Sequence, residues 1–516
     1  MINNRLQRVG RINRKHLLNF TFNGKSYQGF EGDTLASALL ANDVHLVGRS
    51  WKYHRPRGIL GSGAEEPNAI VQLEKGALTV PNARATQVEL YEGLEANSVN
   101  CWPSLEFDLL SINSLFSRMM PAGFYYKTFM WPKKLWMSYE HVIRKASGLG
   151  VSPELPDPDR YEKTYAHCDV LIIGAGPAGL MAALAAGKMG ARVMLIDEQN
   201  EFGGSLLHSN ESIDGQSAQD WVSSVCKELA SMQEVRLLPR SSAYGYHDGN
   251  FLTVNQRLTD HLPADQKSRA RERLWKVRAK QVVLATGALE RPLVFANNDR
   301  PGVMLSSAVM QYVNRYAVEV GQEIVLFTNN DSAYETALAL LKAEIKVLAI
   351  IDNRINPGGS VVDRLRSEGV EIIDQSVVVD VKGSKRINAV QVMSLQQGLE
   401  KVTGSVRTIP CDLLAMSGGW SPVIHLSSQS GAKACWDDEK ACFLPGLRVQ
   451  QERSAGAANG YFDLKSCLSE GLVAGIEAAK QSGFEVDNSV ELPAVNEANI
   501  NPIKPLWLVP SMFKAG

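Results

Sequence analysis

The sequence has few cysteines, and they are widely spaced. Seven Cys occur among 516 residues, and no two lie closer than seven positions. This spacing excludes CxxC zinc or redox pairs and a dense disulfide framework. The simplest interpretation is a set of free, mostly buried thiols in a reducing compartment, so we predict a cytoplasmic protein.

The sequence also lacks an excess of charge of either sign. The 54 Lys and Arg residues are balanced by 55 Asp and Glu residues, which gives a net charge of −1. A protein built around a polyanion normally shows a basic excess, so we expect no nucleic-acid partner. The nine His residues are scattered, and no acid/base or nucleophile constellation stands out. We therefore predict no metal site and no catalytic residue in this chain.

A secretory signal is not evident either. The N-terminus is basic but has no apolar segment of the kind that signal peptides need. The longest apolar stretch, residues 170–187, contains four Gly and one Pro in a phosphate-loop pattern. We interpret it as a buried strand, turn and helix rather than a bilayer span, and we expect no membrane partner.

Residues 1–100 are predicted to form a β-grasp-like domain. Leu17–Phe22 and Ser26–Phe30 are strand-like runs separated by an Asn-Gly turn, and Asp33 is placed to cap a following helix. A hairpin followed by a helix opens plant-type ferredoxins, in which Cys residues of the next loop ligate a [2Fe–2S] cluster. Residues 48–70 form that loop here and contain no Cys, so we predict a domain without a cluster.

The same loop is basic and carries aromatic residues. It is either a solvated basic loop or a docking surface for a phosphate group or an acidic partner, since Arg side chains bind such groups bidentately. The basic residues are Arg49, Lys52, His54, Arg55 and Arg57.

Residues 101–165 predict an aromatic-rich linker or interface segment. Their pattern is neither helical nor alternating, so it indicates either local core or an interface anchor. The large aromatic residues are Phe107, Phe116, Phe124, Tyr125, Tyr126, Phe129, Trp131, Trp136 and Tyr139.

The strongest motif is a GxGxxG that joins a buried strand to a helix of small residues. Gly174 allows a tight turn, Gly176 lets the backbone approach a pyrophosphate, and Gly179 lets the helix pack on the strand. The helix start, which includes Ala178, offers N–H groups and a positive dipole end to phosphates. A motif with both its strand and its helix predicts a bound dinucleotide.

An acid follows the next strand at the distance this interpretation requires. Asp197 can accept hydrogen bonds from the ribose hydroxyls of an adenosine, and Glu198 and Gln199 are further candidates. Gly204 allows close backbone approach, and the Ser205 hydroxyl can bind a phosphate or a ribose.

Two later segments complete the predicted site. Thr286 and Gly287 belong to an ATG sequence like the one that two-domain flavoprotein reductases use where the chain crosses between their domains. After Gly456, such reductases have an Asp that holds FAD, but this chain has Ala457. This difference favours NAD over FAD as the occupant.

A second Rossmann-like domain is predicted over residues 301–405. Its first strand, Ile324–Phe327, is followed by Asn and Asp residues instead of glycines, so we expect a weak or absent nucleotide site. The first domain would comprise residues 166–300 and 406–485, and residues 486–516 would be a C-terminal linker. Polar residues 255–275 are expected to form an exposed excursion. The predicted class is α/β, with an N-terminal β-grasp (ferredoxin-like, cluster-less) unit followed by a Rossmann region like that of two-dinucleotide-binding-domain flavoprotein reductases.

Long segments of the chain resemble the α subunit of heterotetrameric sarcosine oxidase. The segments are RSWKYHRPRGI, AGFYYKTFMWP, CDVLIIGAGPAG, LIDEQNEFGGSL, VLATGALERPLVF, NDRPGVM, TNNDSAYETA and SAGAANGYFDL. The resemblance covers nearly the whole chain. It implies noncovalent NAD in the first dinucleotide-binding domain, FMN shared with a β subunit, and FAD within that β subunit, with γ and δ subunits as further partners. The NAD contacts it implies are Ala178, Asp197, Glu198, Gln199, Ser205, Ala457, Phe462 and Leu464.

The resemblance also implies a reaction. Sarcosine would be oxidatively demethylated to glycine on the β subunit, and the electrons would pass through FMN to oxygen to form hydrogen peroxide. Family α subunits are nearly twice as long as this chain, and their C-terminal half resembles a folate-binding aminomethyltransferase. We expect that part to be missing here, so no folate chemistry is assigned.

Three other interpretations remain open. The chain is alternatively a stand-alone FAD-dependent pyridine-nucleotide oxidoreductase, an opine or proline dehydrogenase α-type subunit, or a scaffold in which NAD is purely structural. The missing Asp at Ala457 and the degenerate second glycine loop count against the first, and the absence of Cys-rich cluster motifs counts against the second.

Overall fold

The computed structural model describes residues 4–119, 131–146, 148–267, 269–396, 401–485, 490–496 and 501–510. The aromatic residues Phe124, Tyr125, Tyr126 and Phe129 lie outside the described residues. Contacts group the chain into two units, Met1–Pro158 with Pro292–Gly418 and Leu506–Gly516, and Asp159–Arg291 with Gly419–Pro505. The five-part domain division proposed above stays a prediction.

The strands and helices follow in chain order. In residues 4–158 they are β1 (Asn13–Phe22), β2 (Lys25–Glu31), α1 (Leu35–Ala41), β3 (Gly48–Arg49), β4 (Pro56–Arg57), β5 (Ile70–Leu73), β6 (Val80–Arg84), β7 (Glu95–Ser98) and α2 (Trp136–Ala146). In residues 159–291 they are β8 (Tyr161–Ile173), α3 (Pro177–Lys188), β9 (Val193–Ile196), β10 (Ser212–Ile213), β11 (Gln216–Ser217), α4 (Ala218–Ser231), β12 (Val235–Leu238), β13 (Ser241–His247), β14 (Phe251–Arg257), β15 (Glu272–Leu284) and β16 (Ala288–Glu290).

The remaining elements continue the same alternation. In residues 292–418 they are β17 (Val303–Leu305), α5 (Ser306–Asn314), β18 (Glu323–Thr328), α6 (Ser332–Lys342), β19 (Lys346–Asp352), α7 (Ser360–Ser367), β20 (Glu371–Ile373), β21 (Ser376–Gly383), β22 (Ile387–Leu395), β23 (Val402–Pro410) and β24 (Leu413–Ser417). After residue 418 they are β25 (Trp420–Pro422), α8 (His425–Gln429), β26 (Cys435–Asp437), β27 (Cys442–Leu444), β28 (Glu452–Ser454) and α9 (Leu464–Gln481).

The first unit contains the β-grasp sheet, in the order β2-β1-β7-β5-β6, with β1 and β7 parallel. The predicted hairpin is present, and Asn23 and Gly24 adopt the positive φ angles that its tight turn requires. The prediction that Asp33 caps α1 is wrong. Thr34 makes the cap, with a reciprocal capping box to Ser37, because its backbone is extended and its hydroxyl reaches the Ser37 N–H.

The same unit contains a second, parallel sheet in the order β17-β24-β18-β19-β20 and an antiparallel sheet β21-β22-β23. Its strands β18, β19 and β24 are almost fully buried, as the continuous apolar runs of a parallel sheet predict. A buried parallel sheet of this kind is typical of a Rossmann-like fold, and the second domain over residues 301–405 stays a prediction.

The second unit is built on the sheet β12-β9-β8-β15-β14-β13, with β28 also paired to β15. Strands β12, β9, β8, β15 and β28 are parallel, so their carboxyl ends meet at one edge. The prediction that residues 255–275 form an exposed excursion is wrong at both ends of that range. Strands β14 and β15 pair antiparallel, with Phe251 opposite Arg278 at one end and Arg257 opposite Glu272 at the other. Alternate residues of β14 are buried, as in a strand with one face on the core.

Helix α9 packs against α3 through glycines one turn apart. A Cβ atom at Gly471 would lie 2.2 Å from the Ala178 carbonyl oxygen, and one at Gly475 would lie 2.4 Å from the Ala182 carbonyl oxygen. The two backbones are therefore in direct contact beside the start of α3. None of the described helices is both long and apolar enough to cross a membrane.

We expect the substitution Gly471→Ala to lower the free energy of unfolding by about 1–3 kcal/mol, because the added methyl group forces two backbones apart. Chemical denaturation monitored by circular dichroism measures this change. Val473→Ala on the exposed side of the same helix serves as the control and should change stability by less than about 0.5 kcal/mol. Equal stability of the two variants would contradict the close packing of α9 on α3.

Candidate nucleotide site

The three glycines of the GxGxxG motif differ in what surrounds them. A Cβ at Gly174 would lie 2.2 Å from the Ala285 carbonyl oxygen, and one at Gly179 would lie 1.8 Å from the Gly174 carbonyl oxygen. The protein's own packing therefore requires both. A Cβ at Gly176 would meet no atom within 4 Å, and its φ of −73° suits any residue. This open space at the start of a helix is where a pyrophosphate would approach the backbone.

Helix α3 starts at this space. Its N-cap residue is Gly176, no side chain caps the helix, and Pro177 occupies its first turn. The N–H groups of the first turn and the positive end of the helix dipole favour an anion there. Ala178 is buried at this helix start.

Asp197 connects the glycine loop to the end of β9. Its Oδ2 atom accepts a hydrogen bond of 2.7 Å from the Ala175 N–H, and its Oδ1 atom accepts one of 2.8 Å from the Gln199 N–H. The Asp197 side chain is buried, whereas Glu198 is exposed beside it. The structure thus shows Asp197 holding the loop in place, while Glu198 presents its carboxylate on the surface of the same turn.

The second glycine turn lies directly against the first. The Gly203 N–H donates to the Ala175 carbonyl at 2.8 Å, and a Cβ at Gly204 would lie 2.8 Å from the Gly176 Cα atom. Ser205 is exposed in the short 3-10 turn that follows. The turn that carries Gly204 and Ser205 is therefore placed at the edge of the empty space.

Thr286 and Gly287 have a structural role in this arrangement. The Thr286 hydroxyl donates to the Val423 carbonyl at 2.7 Å, and the Val423 N–H donates to the Gly287 carbonyl at 3.0 Å. These bonds join the end of β15 to the segment after β25. The preceding Ala285 carbonyl is the group that packs on Gly174.

The returning segment reaches the start of α3 through Gly456. Gly456 has a φ of +65°, and a Cβ there would lie 2.7 Å from the Ala178 Cβ. Ala457 is half-buried next to it, and Phe462 is half-buried just before α9. Leu464 is buried in the core as the first residue of α9.

The acid that follows Gly456 in this segment is Asp463, and it is already engaged. Its side chain caps α9 by accepting from the Ser466 N–H at 2.8 Å. Position 457 itself carries a methyl group. The chain therefore provides no carboxylate at the position where the sequence comparison with FAD reductases expects one.

Several groups at the site were not predicted. The Ala175 N–H and the Ala175 and Ala285 carbonyls are backbone groups, which a residue-type pattern does not reveal. Cys467 lies 3.4 Å from the Cβ position of Gly456, and burial raises the pKa of its thiol to about 12. Such a thiol is a packing residue rather than a nucleophile.

The corresponding place in the second Rossmann-like domain is filled by side chains. Asp352, at the end of β19, binds the Arg354 guanidinium at 2.8 Å and accepts from the Tyr334 hydroxyl at 2.8 Å. The Asn330 amide donates to the Ser417 hydroxyl at 2.9 Å. Asp352 is fully buried, so the acid that would face a ribose is used internally. The weak or absent nucleotide site of this domain stays a prediction.

The loop over residues 58–69 of the β-grasp domain is organised by a buried carboxylate. Glu66 Oε2 accepts from the Leu60 and Gly61 N–H groups at 2.7 Å each, and Oε1 accepts from the Asn68 and Ala69 N–H groups at 2.6 and 2.9 Å. Glu66 is 1% exposed. Burial raises the pKa of this carboxyl group, and the four N–H donors oppose the shift.

The basic part of the loop binds an acid of its own unit. Arg55 grips Asp299 through two hydrogen bonds of 2.7 and 2.8 Å, and Arg57 pairs with the same carboxylate. Burial would raise the pKa of Asp299, but these arginines hold it below its usual range. Arg49 donates to the Leu105 carbonyl at 2.6 and 3.0 Å. In the structure, these three side chains bind groups of their own unit, where the sequence left open a solvated basic loop or a docking surface.

Comparison with known proteins places this chain in a family. The sequence model described as "Pyridine nucleotide-disulphide oxidoreductase" matches residues 168–440, which is more than half of the chain. The chain belongs to this family. Membership makes it an oxidoreductase-family protein with a nucleotide-binding Rossmann region, and confirms the predicted fold class.

Curated relatives give a closer match. "Sarcosine oxidase subunit alpha" from Rhizobium meliloti (strain 1021) is 46% identical over 98% of this chain and 50% of its own length. The protein with that name from Corynebacterium sp. (strain P-1) is 39% identical over 98% of this chain and 47% of its own length. The chain is thus strongly homologous to sarcosine oxidase alpha subunits, as its motifs predicted, and it spans about half the length of these relatives.

A solved structure supports the fold. The L-proline dehydrogenase from P. horikoshii aligns with a TM-score of 0.62 at 19% identity, covering 94% of this chain and 77% of that one. At this identity the likeness concerns the fold alone.

A second sequence model, described as "2Fe-2S iron-sulfur cluster binding domain", matches residues 15–101. These residues do not fit the cluster. A [2Fe–2S] cluster is held by four thiolates, and the matched segment contains Cys101 as its single cysteine. The fold of the domain is kept, and the Glu66 carboxylate organises the loop.

We expect Asp197→Asn to reduce the nucleotide that co-purifies with the chain at least tenfold. Either orientation of the amide turns an NH₂ group toward the Ala175 or the Gln199 N–H, so the glycine loop loses an acceptor. Chromatography of the nucleotide released by denaturation measures the effect. Glu198→Gln, an equally conservative change at the exposed neighbouring position, is the control for thermal stability. Its melting temperature should equal that of the wild-type chain. Undiminished nucleotide in Asp197→Asn would refute the role of its carboxylate.

We expect Glu66→Gln to lower the free energy of unfolding by on the order of 3 kcal/mol, because either amide orientation sets an NH₂ group against two buried N–H donors. Denaturant titration measures the loss. Glu154→Gln, at an exposed carboxylate of the same unit, is the control and should be nearly neutral. A neutral Glu66→Gln would show that the loop does not depend on this carboxylate.

Proposed function

We propose that the chain acts as the alpha subunit of a sarcosine oxidase-type complex and that its first dinucleotide-binding domain holds NAD noncovalently. The observation that carries the proposal is the empty space beside Gly176, in a chain homologous over 98% of its length to alpha subunits of that name. β-, γ- and δ-type subunits are the proposed partners, and the cytoplasm is the proposed compartment. All seven cysteines are free, which agrees with a reducing compartment.

The residues of this chain would bind and orient the nucleotide. Gly174, Gly176 and Gly179 would admit its pyrophosphate at the start of α3, and Gly204 and Ser205 would border the same space. The turn Asp197–Gln199 would receive the adenosine ribose, with the Glu198 carboxylate as the exposed acceptor. Thr286, Gly287, Gly456, Ala457, Phe462 and Leu464 would complete the proposed surroundings.

NAD is preferred over FAD in this proposal for a local reason. Position 457 has a methyl group in place of a carboxylate, and Asp463 caps α9. A flavin in this site would therefore lack an acidic partner for its ribityl chain from this segment.

The oxidation is proposed to occur on a companion subunit. That subunit would carry FAD and oxidise sarcosine to an imine, which water would hydrolyse to glycine and formaldehyde. FMN would be held at its interface with this chain, and oxygen would take the two electrons to form hydrogen peroxide. Flavins supply the two-electron redox chemistry in such enzymes. The part assigned to this chain is to bind NAD and help hold FMN, and we propose that the isolated chain does not oxidise sarcosine.

The test compares the chain purified alone with the chain co-expressed with β-, γ- and δ-type subunits. We expect NAD and no flavin to be released from the denatured chain alone. The co-expressed complex should also release FMN and FAD and form peroxide with sarcosine. A chain that is yellow on its own and is bleached by NADH or NADPH would instead favour a stand-alone flavin reductase.

A further inference from the structure

The described chain contains a segment most of whose large apolar side chains are not buried by its own unit. We name it the apolar arm and define it as residues 102–117 and 131–144. The base of the arm packs on the β-grasp domain. Gly148 lies so close to Asn100 that a Cβ atom at Gly148 would be 2.0 Å from the Asn100 Oδ1 atom. Just beyond, the Gly150 N–H donates to Asn82 at 2.8 Å and the Val151 N–H donates to Gln72 at 3.0 Å.

The arm is apolar but has almost no core. None of its described residues over 109–117 and 131–144 is buried. Among its exposed large side chains are Trp102, Phe107, Leu115, Phe116, Trp131 and Met137, and the most exposed are Trp131 at 82% and Leu115 at 79%. Leaving such side chains in water costs free energy that burial in a partner would recover.

The exposed area is of the size that a protein interface needs. Ten large hydrophobic side chains of the arm are exposed. At roughly 100 Å² each, since aromatic side chains bury about 150–250 Å² when covered, they present about 1,000 Å² of side-chain surface. The largest apolar patch of a typical monomer is about 300–600 Å². A stable interface takes about 800 Å² from each partner.

The charge of the segment indicates what kind of surface would cover it. Residues 109–117 and 131–144 contain Lys133, Lys134 and Arg144 but Glu140 as the one acid, a net charge of +2. The two acids nearer the base of the arm are paired with the β-grasp domain, Glu106 with Lys25 and Asp108 with His54. Glu140 pairs with Arg144 within α2. A complementary surface would therefore be apolar at its centre and acidic at its rim.

We propose that the apolar arm docks into a different polypeptide of the same complex, on an apolar groove with an acidic rim. This proposal rests on the proposed function, which supplies companion subunits. It adds to that function the surface by which this chain recognises one of them.

The test uses the chain co-expressed with each companion subunit in turn. Leu115→Asp and Trp131→Asp are compared with Leu447→Asp, a control at a side chain of the second unit that is 92% exposed. We expect the arm variants to lose at least tenfold in co-purified companion subunit, while their bound NAD and melting temperature stay at the wild-type value. Hydrogen exchange of residues 109–117 and 131–144 should slow in the wild-type complex.

Five outcomes would overturn the proposal. Full companion recovery with both arm variants, or an equal loss with Leu447→Asp, would show that the arm is not the docking surface. A wild-type dimer that the arm variants dissociate, seen by light scattering, would assign the arm to a second copy of the chain. Arm-dependent co-sedimentation with phosphatidylglycerol vesicles would assign it to a lipid surface. Failure of the wild-type chain to recover any companion would instead refute the proposed function itself, and the docking proposal with it.

Discussion

The close approach of backbones around the start of α3 is the constraint on which the rest of the nucleotide site depends. The Gly174 carbonyl faces Gly179, the Ala285 carbonyl faces Gly174, and the Ala178 carbonyl faces Gly471. Each of these contacts leaves no room for a Cβ atom. They fix the glycine loop, the end of β15 and helix α9 against one another, and they leave open space beside Gly176 at the start of α3.

Buried carboxylates accept hydrogen bonds from groups of their own unit in each of these three domains. In the second Rossmann-like domain, Asp352 is occupied by Arg354 and Tyr334, and in the β-grasp domain Glu66 accepts four backbone N–H groups. In the first dinucleotide-binding domain, Asp197 likewise accepts from two loop N–H groups. A carboxylate that points into its own chain must find partners there, because an unpaired buried charge is costly.

The two kinds of surface divide the proposed work of the chain. The space at the α3 start suits a nucleotide, because it combines glycines, helix N–H groups and a carboxylate turn. The apolar arm suits another protein, because its exposed aromatic and aliphatic side chains are too many for an isolated surface. Both proposals give this chain a role in binding and assembly and leave the oxidation of the amine to a companion.

The sequence by itself determined the features that depend on near neighbours in the chain. The Asn23-Gly24 turn, the strand-to-helix glycine loop and the continuous apolar strands of the parallel sheets follow from backbone sterics and hydrophobic periodicity, which act over a few residues. The family could also be recognised from the sequence, because long motifs of its members occur in the same order along this chain. Only the tertiary structure decided which groups far apart in sequence meet: Arg55 with Asp299, Gly456 with Ala178, and the antiparallel pairing of β14 with β15. Local patterns predict that such residues are polar, small or alternating, but the partner of a polar group is chosen by what else is buried beside it. For this reason the sequence predicted Asp33 as the cap of α1 where the structure has Thr34, and the roles of Asp197 and Glu66 became visible only in the folded chain.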